Sequence, residues 1–169
     1  MPSLANKNFR LATTFGIVAA CSSLIFAHAP AAQAGCTFLM PIGGNGDGPK
    51  PYIVKKRVQR NKLLVGRTNW NTDFVVNQPF ASYKLFFTAD STDSNPGSYP
   101  VEAFLKFLDG SNLRVVNEFM KPPTGTGAQF GPFQTPQEKA VSQVNFKIGA
   151  GNDPGATGFS YRISVQGCD

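Results

Sequence analysis

Hydrophobic positions along the chain recur with a period of two. Phe159, Tyr161, Ile163 and Val165 alternate with Ser160, Arg162, Ser164 and Gln166, and Val144, Phe146 and Ile148 alternate with Gln143, Asn145 and Lys147. An extended strand places two such sets on opposite faces, so both segments are predicted as half-buried strands. Ala81, Tyr83, Leu85 and Phe87 share one face of 80–89, and Val101, Ala103, Leu105 and Phe107 share one face of 100–108. Phe86 and Phe104 lie on the opposite faces, which marks these two as central strands with little exposed surface. Asp109-Gly110-Ser111-Asn112 returns the chain into 113–120 as a hairpin.

Apolar runs at 52–58, 63–67 and 73–77 add further strands. Asn77-Gln78-Pro79, Ser94-Asn95-Pro96-Gly97 and Asn152-Asp153-Pro154-Gly155 supply turns. The segment 121–137, with Pro122, Pro123, Pro132 and Pro136, is expected to be a long loop that either docks Phe130 and Phe133 on a sheet or presents them to a partner. No window carries a sustained helical period. The expected fold is all-β, an antiparallel β-sandwich or jelly roll of about eight strands. The 17 Gly and 13 Pro fit many turns, and 41% hydrophobic against 15% charged residues supports a packed core.

The alternation is absent from the first residues. Lys7 and Arg10 precede a stretch without charge from Leu11 to Gly35, which closes on Ala32-Gln33-Ala34. A basic start, an apolar middle and a small-x-small end read as a secretory signal over 1–34. This leaves one domain over 35–169, entered through a flexible loop at 35–50 that contains Gly43-Gly44-Asn45-Gly46-Asp47-Gly48-Pro49. The expected location is exported, periplasmic or extracellular. The competing readings of the leader are an uncleaved anchor and lipidation at Cys21 in Val18-Ala19-Ala20-Cys21, and only these bring in a membrane. Beyond residue 34 two cysteines remain, Cys36 and Cys168, and in an exported domain they are expected to form a disulfide that brings the two ends side by side.

Charge narrows the partners. Removing Lys7 and Arg10 leaves 14 basic residues against 10 acids, a net +4 too mild to imply a nucleic-acid partner. Half of the positive charge falls at Lys50, Lys55, Lys56, Arg57, Arg60, Lys62 and Arg67, with no acid between Asp47 and Asp73. This run is either a binding stripe for an anionic surface or an edge strand protected by its cations.

The only His, His28, lies in the leader, so the domain lacks an imidazole base and a His-based zinc site, and paired cysteines remove thiol chemistry. No cofactor or metal is expected. Glu102 and Glu118, on the two strands of one hairpin, are the carboxylate pair that a glycoside hydrolase would need, although both suit solvent-facing positions. Asp90, Asp93 and Asn95 offer oxygens at calcium-ligand spacing, which turn chemistry also explains. Trp70, framed by Asn69 and Asn71, is a candidate for stacking on a sugar ring. The expectation is therefore a non-catalytic binding domain for a polysaccharide or other envelope component, with Trp70, Lys55, Arg57, Arg60, Phe130 and Phe133 as candidate ligand residues. The alternative is an assembly protein that pairs with other protein chains through an edge strand or the 121–137 segment.

Overall fold

A computed structural model of the chain describes residues 35–43, 46–59, 70–92, 97–149 and 157–169. The leader at 1–34, the 63–67 run, the two turns at 94–97 and 152–155 except Gly97, and Arg60, Lys62, Asp93 and Asn95 lie outside the described residues. Ten strands are present among those described: β1 (Cys36–Phe38), β2 (Gly46–Asp47), β3 (Lys50–Val58), β4 (Trp70–Val75), β5 (Ser82–Thr92), β6 (Tyr99–Phe107), β7 (Asn112–Met120), β8 (Gly127–Gln134), β9 (Val141–Ile148) and β10 (Phe159–Cys168). They form two antiparallel sheets packed face to face, a β-sandwich. One sheet runs β2-β3-β10-β5-β8 with β1 added to β10, and the other runs β4-β9-β6-β7.

Each sheet turns its apolar alternates inward. Along β6 every second residue from Tyr99 to Phe107 is buried, and the in-between positions are half-exposed. Leu85 and Phe87 of β5, Val144, Phe146 and Ile148 of β9, and Phe159, Tyr161 and Ile163 of β10 meet these residues in one core. Its centre is aromatic: the Tyr99 ring lies 4.3 Å from Phe159 and 5.3 Å from Phe87. β5 and β6 are both central strands, as their two-faced hydrophobic content predicts.

Three expectations are corrected. The stretch 35–50 is not one loop: Cys36–Phe38 pairs with Gln166–Cys168, and the chain then crosses to the other sheet, where Ile42 N donates to Asp73 O and Val75 N donates to Met40 O. β10 is more than half-buried, with Ser160 and Ser164 buried as well, because β5 covers one side while β3 and β1 share the other. The segment 121–137 is not a long loop either, since Gly127–Gln134 pairs with β5 as an edge strand. An edge tolerates Pro132, which has no N–H to offer a neighbour. The turn at Asp109 behaves as read: the Asp109 carboxylate accepts from Ser111 N at 2.9 Å while Gly110 takes a positive φ of 81°.

The disulfide links Cys36 to Cys168 at directly paired positions. The ends of the domain lie side by side on adjacent strands, Cys36 on β1 and Cys168 on the central β10.

Candidate functional site

The two outer sheet faces differ in kind. On the four-stranded sheet, charges are consumed internally. Asp73 accepts from Lys106 at 2.7 Å and from Asn145 at 2.9 Å. Glu102 accepts from Lys147 at 2.6 Å and from Arg114 at 3.4 Å. The Lys147 hydrogen bond is the main reason that the Glu102 carboxyl is held below its ordinary value of 4.5, with partial burial opposing and Arg114 assisting.

The outer face of the six-stranded sheet carries an aromatic zone and a polar zone. The register places Phe38, Gln166 and Lys84 in one row across the sheet, and Ser164, Phe86 and Gln129 in the next. Lys55, Arg162 and Thr88 form a third row, and Arg57, Ser160 and Ser91 a fourth. In the aromatic zone, Phe38, 36% exposed, stacks on Tyr52 with ring centroids 4.1 Å apart and planes 15° apart, and Phe86 leans in at 6.3 Å. Beside it a shallow hollow of about 110 Å³ is lined by Ile53, Phe86, Thr88, Arg162 and Ser164. In the polar zone, Asp90 forms ion pairs with Lys55 Nζ at 2.7 Å and with Arg162 Nε at 3.2 Å. Arg57 reaches the Ser91 and Ser160 hydroxyls, which are hydrogen-bonded to each other.

This arrangement offers flat apolar ring surface next to hydroxyls and an amide. It suits a ligand with an apolar face and a polar perimeter. The basic run contributes less charge to this face than its composition implies, since Lys55 is paired with Asp90. Lys56 points the other way, between the sheets, where its ammonium donates to Thr72 at 2.7 Å and sits 4.7 Å above the Trp70 ring.

Of the residues expected to form a site, Lys55 and Arg57 lie together on this face, and Arg60 lies outside the described residues. Trp70 is not with them. It is half-buried on β4, and its indole N–H donates to the Arg57 carbonyl at 2.8 Å, so it ties β3 to β4. Phe130 is 8% exposed and belongs to the core, and Phe133 packs against the same core from β8. Inward-facing positions of an edge strand explain both. Phe38, Tyr52 and Phe86 escaped the sequence reading as ligand residues. Phe86 alone left a trace, as an aromatic on the outer face of a central strand.

The hydrolase pair is not assembled. Glu118 sits opposite Val101 and Glu102 opposite Asn117, so the two carboxylates project from opposite faces. Asp90 is engaged by two cations, while Asp93 and Asn95 lie outside the described residues. Among the described residues no three His, Cys, Asp or Glu side chains gather as a metal site would require.

No protein-family model matches the chain, and no curated protein matches it. A solved structure of infectious bursal disease virus, Gt strain, aligns over 80% of this chain and 38% of that chain at 15% identity, with a TM-score of 0.25. The chain thus spans well under half of that protein's length, and likeness of this degree carries no argument.

Proposed function

We propose that the chain is an exported, non-catalytic binding domain that takes a neutral carbohydrate polymer of the envelope or surroundings on the outer face of its six-stranded sheet. The observation that carries this reading is the solvent-facing stack of Phe38 on Tyr52 with Phe86 beside it, bordered by Thr88, Gln166 and Gln129. A pyranose presents an apolar C–H face and a rim of hydroxyls, which is the complement of such a surface. Export is supported by the leader pattern at 1–34 and by a disulfide, which persists in oxidising compartments. The preference for a neutral polymer rests on the uncharged rings themselves; Asp90 offsets one of the two positive charges at Lys55 and Arg162.

Phe38→Ala and Tyr52→Ala test the site. In affinity electrophoresis through neutral polysaccharides, each is expected to weaken retention at least tenfold, while Trp70→Phe keeps it. Retention unchanged in Phe38→Ala, or lost in a folded Trp70→Phe, overturns the assignment.

The assembly reading retains one favourable observation. β7 is a nine-residue edge strand with Leu113 and Phe119 about half exposed. Against it, the strand is bulged beside Phe104, and Glu118 points toward the core side, two features that discourage edge pairing. Sedimentation should therefore give a concentration-independent monomer.

A further inference from the structure

We propose that the end of the sandwich near the disulfide holds a second binding site, for a small neutral apolar molecule bearing one hydroxyl or carbonyl group. The site is a half-open cavity of about 300 Å³ where the β4–β5 connection, the β6–β7 turn and the β8–β9 connection converge. Val76, Phe80, Tyr83, Leu108 and Val141 supply its apolar lining. Its size falls at the lower bound of small-molecule sites, roughly 300 Å³. It is about twice the ~150 Å³ of an apolar cavity that accepts benzene, which suits two fused rings or a short branched chain.

The chemistry of the ligand follows from which polar atoms are already engaged. Thr135 Oγ1 donates to the Phe80 carbonyl at 2.6 Å, and the Tyr83 hydroxyl is hydrogen-bonded to Thr135. Ser142 Oγ donates to the Lys106 carbonyl at 3.1 Å. Lys139 pairs with Asp109 and donates to Ser111 Oγ at 3.2 Å. The ammonium is thus answered by a carboxylate, and an anion entering the cavity would lose hydration without gaining an unsatisfied cation. The side chains left for a ligand are the exposed amides of Asn77 and Gln78 at the rim, which supply both donors and acceptors. Leu108, 76% exposed, stands at the mouth, where a bound apolar group would cover it. The body of the ligand is therefore apolar, its polar group sits at the rim, and it is uncharged. This site is at an end of the sandwich and does not depend on the sheet-face reading.

The test is an amide NMR titration of the full chain with 2-naphthol. Saturable shifts centred on Gln78, Leu108 and Ala140 are expected. Ala140→Leu, which narrows the entry, should weaken binding at least fivefold. Asn77→Ala with Gln78→Ala, two exposed positions, should weaken 2-naphthol at least threefold and leave naphthalene unchanged. Naphthalene-2-sulfonate should bind at least tenfold more weakly than 2-naphthol. Unsaturable shifts, saturation centred elsewhere, binding indifferent to the amide pair, or equal affinity for the sulfonate would each overturn the proposal.

Discussion

Tyr161 is fully buried in the aromatic centre, and its hydroxyl has no hydrogen-bond partner among the described residues. Burial pushes its pKa far above the ordinary tyrosine value. An unpaired buried hydroxyl costs about 1–3 kcal/mol. Tyr161→Phe is thus expected to stabilise the domain by about 1 kcal/mol in urea denaturation, and a loss of stability would show that the hydroxyl is satisfied. Glu102 gives a prediction with a pH sign. Its carboxyl has a lower pKa folded than unfolded, so the native state binds fewer protons there. Its contribution is full above the ordinary glutamate range and disappears as pH falls through the depressed native value. Glu102→Gln should therefore lose stability at neutral pH but fall less steeply below about pH 4.5 than the parent. Identical acid slopes would contradict the Lys147 pairing. At this scale the sequence was readable where parity decided the outcome, as at Tyr83, Val101 and Ile163. It was silent where a neighbour decided it: Gly167 looks like any strand glycine, yet a Cβ there would stand 2.3 Å from the Phe80 ring.

The elements were legible to the extent that each owned its periodicity. β5, β6, β9 and β10 announced themselves by alternation, and the β6–β7 hairpin by its turn residues. β8 did not, because Gly127, Gly131 and Pro132 imitate a loop and only the edge position makes them acceptable in a strand. β1 is three residues long and carries no pattern at all; pairing with β10 and the Cys36–Cys168 bond hold it. Those same three residues end in Phe38, so the disulfide also fixes half of the aromatic stack. Replacing Cys36 and Cys168 together by Ser is expected to cost about 2–5 kcal/mol of stability. Under conditions where the variant stays folded, it should also weaken polysaccharide retention. A variant with full retention would separate the disulfide from the site.

At the scale of the molecule, two sheets of similar make-up present unlike exteriors. The four-stranded sheet closes its outer face with Asp73–Lys106 and Glu102–Lys147 pairs, whereas the six-stranded sheet leaves stacked rings in solvent. The sandwich was legible in the sequence, since alternating runs separated by turns have few other solutions. The candidate face was not, because it combines β1, β3, β5, β8 and β10, and only the pairing of distant strands reveals which outward residues are neighbours. That pairing also moved Trp70 and Phe130 off the site and brought Phe38, Tyr52 and Phe86 onto it.

The most direct measurement is equilibrium binding of the protein to matched neutral and anionic polysaccharides across a salt series. The stacked-ring account predicts binding to a neutral polymer that varies little with salt, because apolar contact is not screened. Binding confined to anionic polymers and fading as salt rises would contradict it and return the site to the cations of β3.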